Sequence, residues 1–284
     1  MKKLLVLLFF IVGLFLLIIT NTSWLPFGLK KEQTKVTDKI ELIEIDVSGV
    51  RTTIIPENRS SVSTEYNGKG KVTVKESGDK IKVEFTSKNW LNLPSLFKKK
   101  DLTIFIPEDY NRDILINSGS GRLTFSGKSK KEPFKLENLS LNMTSGHVQL
   151  SNISTDYFEQ VGSSGYIGIN DFLANTSSFN MSSGKLDIKG YSGKVSAQVS
   201  SGRVDMQFEK LNDDIDLVVK SGFTTLDLPS DADFALNGEI GSGVITTSFT
   251  LTNSKKEKNK LEGIHGSDKH ALNLNVSSGK IEVN

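Results

Sequence analysis

The sequence predicts an all-β protein: a parallel β-solenoid, built of stacked coils of about 18–21 residues, that follows one N-terminal transmembrane helix. Three observations predict it. A long apolar run opens the chain. The dipeptide Ser-Gly then recurs at a near-constant step. Around each of those glycines, apolar and polar residues alternate with the period of a strand.

Leu4 to Ile19 is apolar apart from Gly13, and Lys2 and Lys3 precede it. Trp24, Leu25 and Phe27 extend the run to the length a bilayer requires and place a Trp at its far interface. The rival is a cleaved signal peptide, but Ile18 to Trp24 offers no Ala-x-Ala site. A retained anchor over residues 1–29 is the reading adopted, with the N-terminus inside and the body outside the membrane. Residues 30–36 read as a linker.

Residues 37–113 hold looser strands: Ile45 to Val47 and Val50 to Ile55 around Ser48-Gly49, then Val62 to Tyr66, Val72 to Val74, Ile81 to Phe85 and Leu102 to Ile106. They are expected to form irregular opening coils that cap one end of the stack.

The regular part spans 114–284. Gly of Ser-Gly falls at 121, 146, 165, 184, 202, 222, 243 and 279, in steps of 25, 19, 19, 18, 20, 21 and 36. The last step contains a polar insertion at about 252–270. Aligned on Gly, the positions two and four after it and three, five and seven before it are apolar in 33 of 40 cases, so each unit reads as strand, Ser-Gly corner, strand, second corner. Gly serves the first corner by its conformational freedom, and Ser by bonding nearby backbone. Ile153, Phe172, Tyr191 and Phe208 fall near the second corner and are expected to cover one side of the core. Leu272 to Val283 closes the chain as a strand that is either an exposed edge or covered by the insertion.

Composition narrows the function. There is no cysteine, which excludes disulfides, thiolate metal sites and thiol catalysis. Without Lys2 and Lys3, the 35 Lys and Arg become 33, which balances the 33 Asp and Glu. A neutral body argues against nucleic acid as a partner.

Val47-Ser48-Gly49, Asn117-Ser118-Gly119-Ser120-Gly121, Ser163-Ser164-Gly165, Ser182-Ser183-Gly184, Ser200-Ser201-Gly202 and Ser277-Ser278-Gly279 resemble the strand–Ser-Gly–strand units of the bacterial putative-adhesin family of β-strand-repeat proteins. The LiaG-like members encoded with cell-envelope stress systems look most similar. The resemblance covers residues from about 40 to 284. It implies a Gram-positive, surface-exposed, non-enzymatic protein, and it carries over no catalytic or binding residue.

Candidate chemistry is sparse. Hydrolysis needs a base beside a Ser nucleophile, yet the only histidines are His147, on an outward strand position, and His265 and His270, in the insertion. Gly119-Ser120-Gly121 and Gly241-Ser242-Gly243 lack the rest of a phosphate loop. Asp213, Asp214, Asp216, Asp231 and Asp233 do not recur at one corner position and read as turn acids rather than Ca²⁺ ligands. Lys185 and Arg203 lie one after Gly, and Asp187 and Asp205 three after, with Asp227 expected to continue the acidic row. These four residues form the candidate binding face. The alternative is a carbohydrate-active enzyme, a polysaccharide lyase or hydrolase, using the same carboxylates. Trp90, Leu93, Leu96 and Phe97 beside Lys98, Lys99 and Lys100 suit a membrane or partner contact, or an insertion folded over the first coils.

The function expected is therefore a membrane-anchored, extracytoplasmic, non-catalytic binding or scaffold module at the cell envelope. Its partners would be the membrane and envelope proteins, wall polymer or another copy through the C-terminal coil. No cofactor or metal is expected.

Overall fold

The computed structural model describes residues 30–68, 70–87 and 100–284. The expected anchor and the whole Trp90–Lys99 segment lie outside them. Among the described residues there are twenty-two strands and no helix, and none is thus long and apolar enough to cross a membrane.

The first nine strands are β1 (Lys30–Lys35), β2 (Leu42–Val47), β3 (Val50–Glu57), β4 (Ser61–Asn67), β5 (Lys71–Ser77), β6 (Lys80–Thr86), β7 (Asp101–Pro107), β8 (Asp113–Ser118) and β9 (Gly121–Ser126). Four longer ones follow: β10 (Phe134–Met143), β11 (His147–Gly162), β12 (Tyr166–Met181) and β13 (Lys185–Val199). Then come β14 (Arg203–Phe208), β15 (Ile215–Val219), β16 (Phe223–Asp227), β17 (Phe234–Ile240) and β18 (Val244–Thr247). The last four are β19 (Thr252–Glu257), β20 (Lys260–His265), β21 (His270–Val276) and β22 (Lys280–Val283).

Strands before a Ser-Gly corner pair in parallel to make an upstream face, and strands after it make a downstream face. The long strands β11, β12 and β13 serve both, bending at the second corner. The alternating pattern decides which side chains meet. Every aligned apolar-pattern position is buried except Ile240 and Thr247, both in the β17–β18 coil. Ile153, Phe172, Tyr191 and Phe208 are buried as expected. Phe158, Phe179 and Tyr191 join Phe172 and Phe208 in a ring column, with neighbouring centroids 4.7–6.2 Å apart.

The glycines are required by contact as much as by conformation. A Cβ on Gly165 would lie 2.5 Å from the carbonyl oxygen of Gly146, and one on Gly184 would lie 2.4 Å from that of Gly165. The corner backbones thus rest directly on one another, and the ladder runs through the turn: Ser163 N–H donates to Met143 O and Tyr166 N–H to Gly146 O. The serine hydroxyls act between coils rather than within their own bend. Ser164 Oγ donates to Thr144 O at 3.0 Å and Ser183 Oγ to Ser163 O at 2.8 Å.

The second corner has its own device. Asn152, Asp171 and Gly190 each lie six positions after a repeat glycine, and each has a left-handed backbone, with φ of 54°, 50° and 67°. Asn, Asp and Gly are the residues that tolerate this conformation best.

Stack order departs from chain order at both ends. The β2–β3 coil lies between β6–β7 and β8–β9. Antiparallel strands close that end: β5 on β6, and β4 then β1 on β7. At the opposite end β21–β22 lies between β15–β16 and β17–β18. The closing strand of the chain is therefore neither an exposed edge nor covered by the insertion; it is an interior rung. The insertion forms the β19–β20 hairpin, whose β20 caps β17 in antiparallel register.

Candidate functional site

Parallel pairing of β13 with β14 sets Lys185 opposite Arg203 and Asp187 opposite Asp205, so all four candidate residues share the downstream face. The acidic row is interrupted there and resumes at Glu282, which stands opposite Thr225 on β22. Thr225, not Asp227, stands opposite Asp205, because Asp227 lies two residues further on and opposite Gln207.

The four charges are spent on one another. Arg203 Nε donates to both carboxylate oxygens of Asp205, at 3.0 and 2.8 Å. Lys185 Nζ lies 3.2 Å from Asp205 and 3.5 Å from Asp187. Tyr166 donates its hydroxyl to Asp187 at 3.3 Å, and the Arg203 guanidinium lies 4.6 Å over the Phe223 ring. Partial burial pushes the Asp205 carboxyl up, but Arg203 and Lys185 outweigh it and hold the group below its ordinary value. Asp205 in turn holds the Lys185 ammonium above its ordinary range.

A depression of about 370 Å³ adjoins the ladder and is edged by Asp187, Asp205 and Asp227. Acid catalysis in it would need a carboxyl that keeps its proton near neutral pH. Asp205 is driven the other way. No histidine lines the depression. His147 stacks on Tyr166 with centroids 4.7 Å apart, and burial, then Arg122, pushes its pKa down. His265 packs against Phe234 and Phe249.

Three of the acids weighed as Ca²⁺ ligands are engaged as hydrogen-bond acceptors. Asp233 accepts from Ser267 N, Ser267 Oγ and Lys269 N. Asp214 accepts from Ala271 N, and Asp216 from Asn273. Among the described residues no three His, Asp or Glu side chains converge as a metal would require.

Of the basic-apolar segment, Trp90, Leu93, Leu96, Phe97, Lys98 and Lys99 lie outside the described residues. Lys100 leads into β7, where its carbonyl accepts from Arg51 N–H and its Nζ approaches Ser87 Oγ at 3.4 Å.

The upstream face differs from this ladder, and sequence reasoning passed over it. One row of its outward positions carries four amides and two valines in register: Asn142, Val161, Asn180, Gln198, Val218 and Asn275 fall across six neighbouring strands. The signal was present four residues before each repeat glycine, but it lies among the polar residues that alternation assigns to solvent.

The sequence profile of the Toastrack DUF4097 family matches residues 40–284. The chain belongs to that family. Solved structures align with most of the chain. A protein from Bacteroides fragilis, described as a putative adhesin, aligns over 90 % of this chain and 97 % of its own, with a TM-score of 0.52 and 14 % identity. Another so described, from Parabacteroides distasonis, aligns over 91 % and 98 %, with a TM-score of 0.48 and 14 % identity. At such identity the likeness to the first is one of fold alone. No curated protein matches the chain.

Proposed function

We propose that this protein is a membrane-anchored, extracytoplasmic β-solenoid that acts as a non-catalytic binding or scaffold module at the envelope of a Gram-positive bacterium, in the setting of envelope stress. One observation carries the non-catalytic part. The acids and bases most suited to chemistry form a ladder in which Asp205 is held deprotonated by Arg203 and Lys185. A fold of stacked coils turns that ladder outward on a sheet face, the arrangement of a surface that makes contacts rather than one that encloses a substrate. The apolar run at residues 4–19 behind Lys2 and Lys3 supports the anchor, and the LiaG-like resemblance supports the envelope-stress setting.

The absence of cysteine gives a clean test of location. Lys258, exposed at the tip of the β19–β20 hairpin, is replaced as Lys258→Cys in the full chain and treated in intact cells with a membrane-impermeant maleimide. Labelling before lysis is expected. Labelling only after lysis overturns the extracytoplasmic placement. Turnover of wall polysaccharide by the purified full chain, abolished by Asp187→Asn or Asp205→Asn, would overturn the non-catalytic reading.

A further inference from the structure

The upstream face carries a second inference, which rests on the reading of the protein as a binding module and names what is bound. At its centre Val161, Asn180, Gln198 and Val218 stand side by side on β11, β12, β13 and β15. Ser178 and Ser196 form a parallel row two residues upstream. Strands about 4.8 Å apart make both rows run along the stack axis, across the chain direction.

The polar groups on this face are used unevenly. Asn142 donates to Asn117, and Asn275 donates to Glu239. Between them the exposed Asn180 and Gln198 amides make no hydrogen bond to the described residues. Each amide offers two donors and one acceptor oxygen. They are flanked by two aliphatic side chains left open to solvent, Val161 at 40 % and Val218 at 39 % exposure. Glu159 and Asp216 flank the patch, and Asp216 is already engaged by Asn273.

We propose that this face binds an uncharged polysaccharide whose chain lies along the stack axis. Sugar hydroxyl or acetamido groups need donors and acceptors at once, which the Asn180 and Gln198 amides supply. The apolar C–H surface of the rings needs a shallow aliphatic bed, which Val161 and Val218 supply. A polyanion would meet one cation, the exposed Lys220 just past the end of β15, against the two carboxylates of Glu159 and Asp216. Of the Trp, Tyr and Arg that anchor protein interfaces, a protein partner would find only Tyr157, four residues before Val161 at the far end of β11. The two open amides lie on adjacent strands in matched register, so one extended chain engages both without bending.

The test uses the purified full chain in detergent with three insoluble or soluble probes: cellulose, chitin and dextran sulfate. The protein is expected to be retained by cellulose or chitin, and to be retained equally at low and high salt. The double variant Asn180→Ala/Gln198→Ala is expected to lose at least tenfold in affinity with its thermal midpoint unchanged. Arg203→Ala, on the other face, is expected to bind as the parent does. No retention on either glycan, retention only by dextran sulfate, an undiminished double variant, or an equal loss in Arg203→Ala would each overturn the assignment. Those failures leave the wider reading standing, because that one falls only by cytoplasmic labelling of Lys258→Cys or by catalytic turnover.

Discussion

From β8 to β16 space follows sequence, with each coil resting on the one before it; at either end it does not. In the middle, a residue's neighbour is found by stepping one period along the chain: His147 beside Arg122, Tyr166 beside His147, Lys185 beside Tyr166. At the ends, β2–β3 slips between later coils and β21–β22 slips in front of earlier ones. The middle is stabilised by each coil completing its predecessor. The ends depend on strands arriving from elsewhere in the chain, and on antiparallel caps that stop the stack from growing.

The largest expected effect comes from removing the rung that is last in sequence but interior in space. Deleting residues 270–284 strips out five buried side chains, Leu272, Leu274, Val276, Ile281 and Val283. At about 1.5–3 kcal/mol each, the gross loss is roughly 7–15 kcal/mol, comparable with the whole stability of a domain. Hydrogen exchange should show amide protection lost across residues 215–247, on both sides of the gap. Undisturbed protection there would mean that the rung is peripheral after all.

Next come two glycines with the same contact in different regions. Gly165 has a left-handed φ of 94°, and an added Cβ would meet Gly146 O at 2.5 Å. Gly165→Ala should cost about 3–5 kcal/mol in urea unfolding. Gly243 makes an equally close approach, 2.4 Å to Gly279 O, but without a left-handed φ and in the last coil of the stack. That coil can shift outward, so Gly243→Ala should cost about 1–2 kcal/mol. Equal costs would erase the distinction between middle and end.

A smaller change should stabilise the middle. Gln160 is fully buried, and neither of its amide atoms has a partner. It fills the space that Gly162 leaves beside Met181. Gln160→Met keeps the shape and removes the buried polar atoms, so unfolding should shift to higher denaturant by about 1–2 kcal/mol. A loss of stability would show that the amide contributes something to the core.

The smallest effect belongs to the surface ladder. The folded Asp205 pKa is depressed, so its stabilisation is present above the ordinary carboxylate value and is lost as pH falls through the folded value. Solvent screening keeps it below about 1 kcal/mol. Unfolding curves of Asp205→Asn and the parent should therefore differ slightly above about pH 4 and converge below it. A gap that widens on acidification would contradict the pairing with Arg203.

Much of the fold was legible because a coil has few ways to bury a period-two stripe. The stripe named the core almost residue by residue, and the constant step named parallel stacking. The second corner was also written in the chain, as Asn152, Asp171 and Gly190, but Asn and Asp are so common in polar turns that only the left-handed backbone singles them out. The candidate charged face was legible at Lys185, Asp187, Arg203 and Asp205, whose spacing matches one coil. The extension to Asp227 was not, because a row continues by register and not by residue type. The amide row on the upstream face was hidden for the opposite reason: most outward positions of a strand are polar, and the free amides are known only once the bonded ones have been found.

The sequence by itself determined what lies inside, since burial follows from alternation and from the side chains each position carries. It determined the corner as well, since only glycine lets one backbone rest on the next. Tertiary structure alone decided the order of the coils at the two ends and the division of labour between the two faces. The physical reason is that neighbours in a parallel ladder are chosen by long-range backbone pairing, which any strand of suitable pattern satisfies equally well until the whole stack competes for the same place.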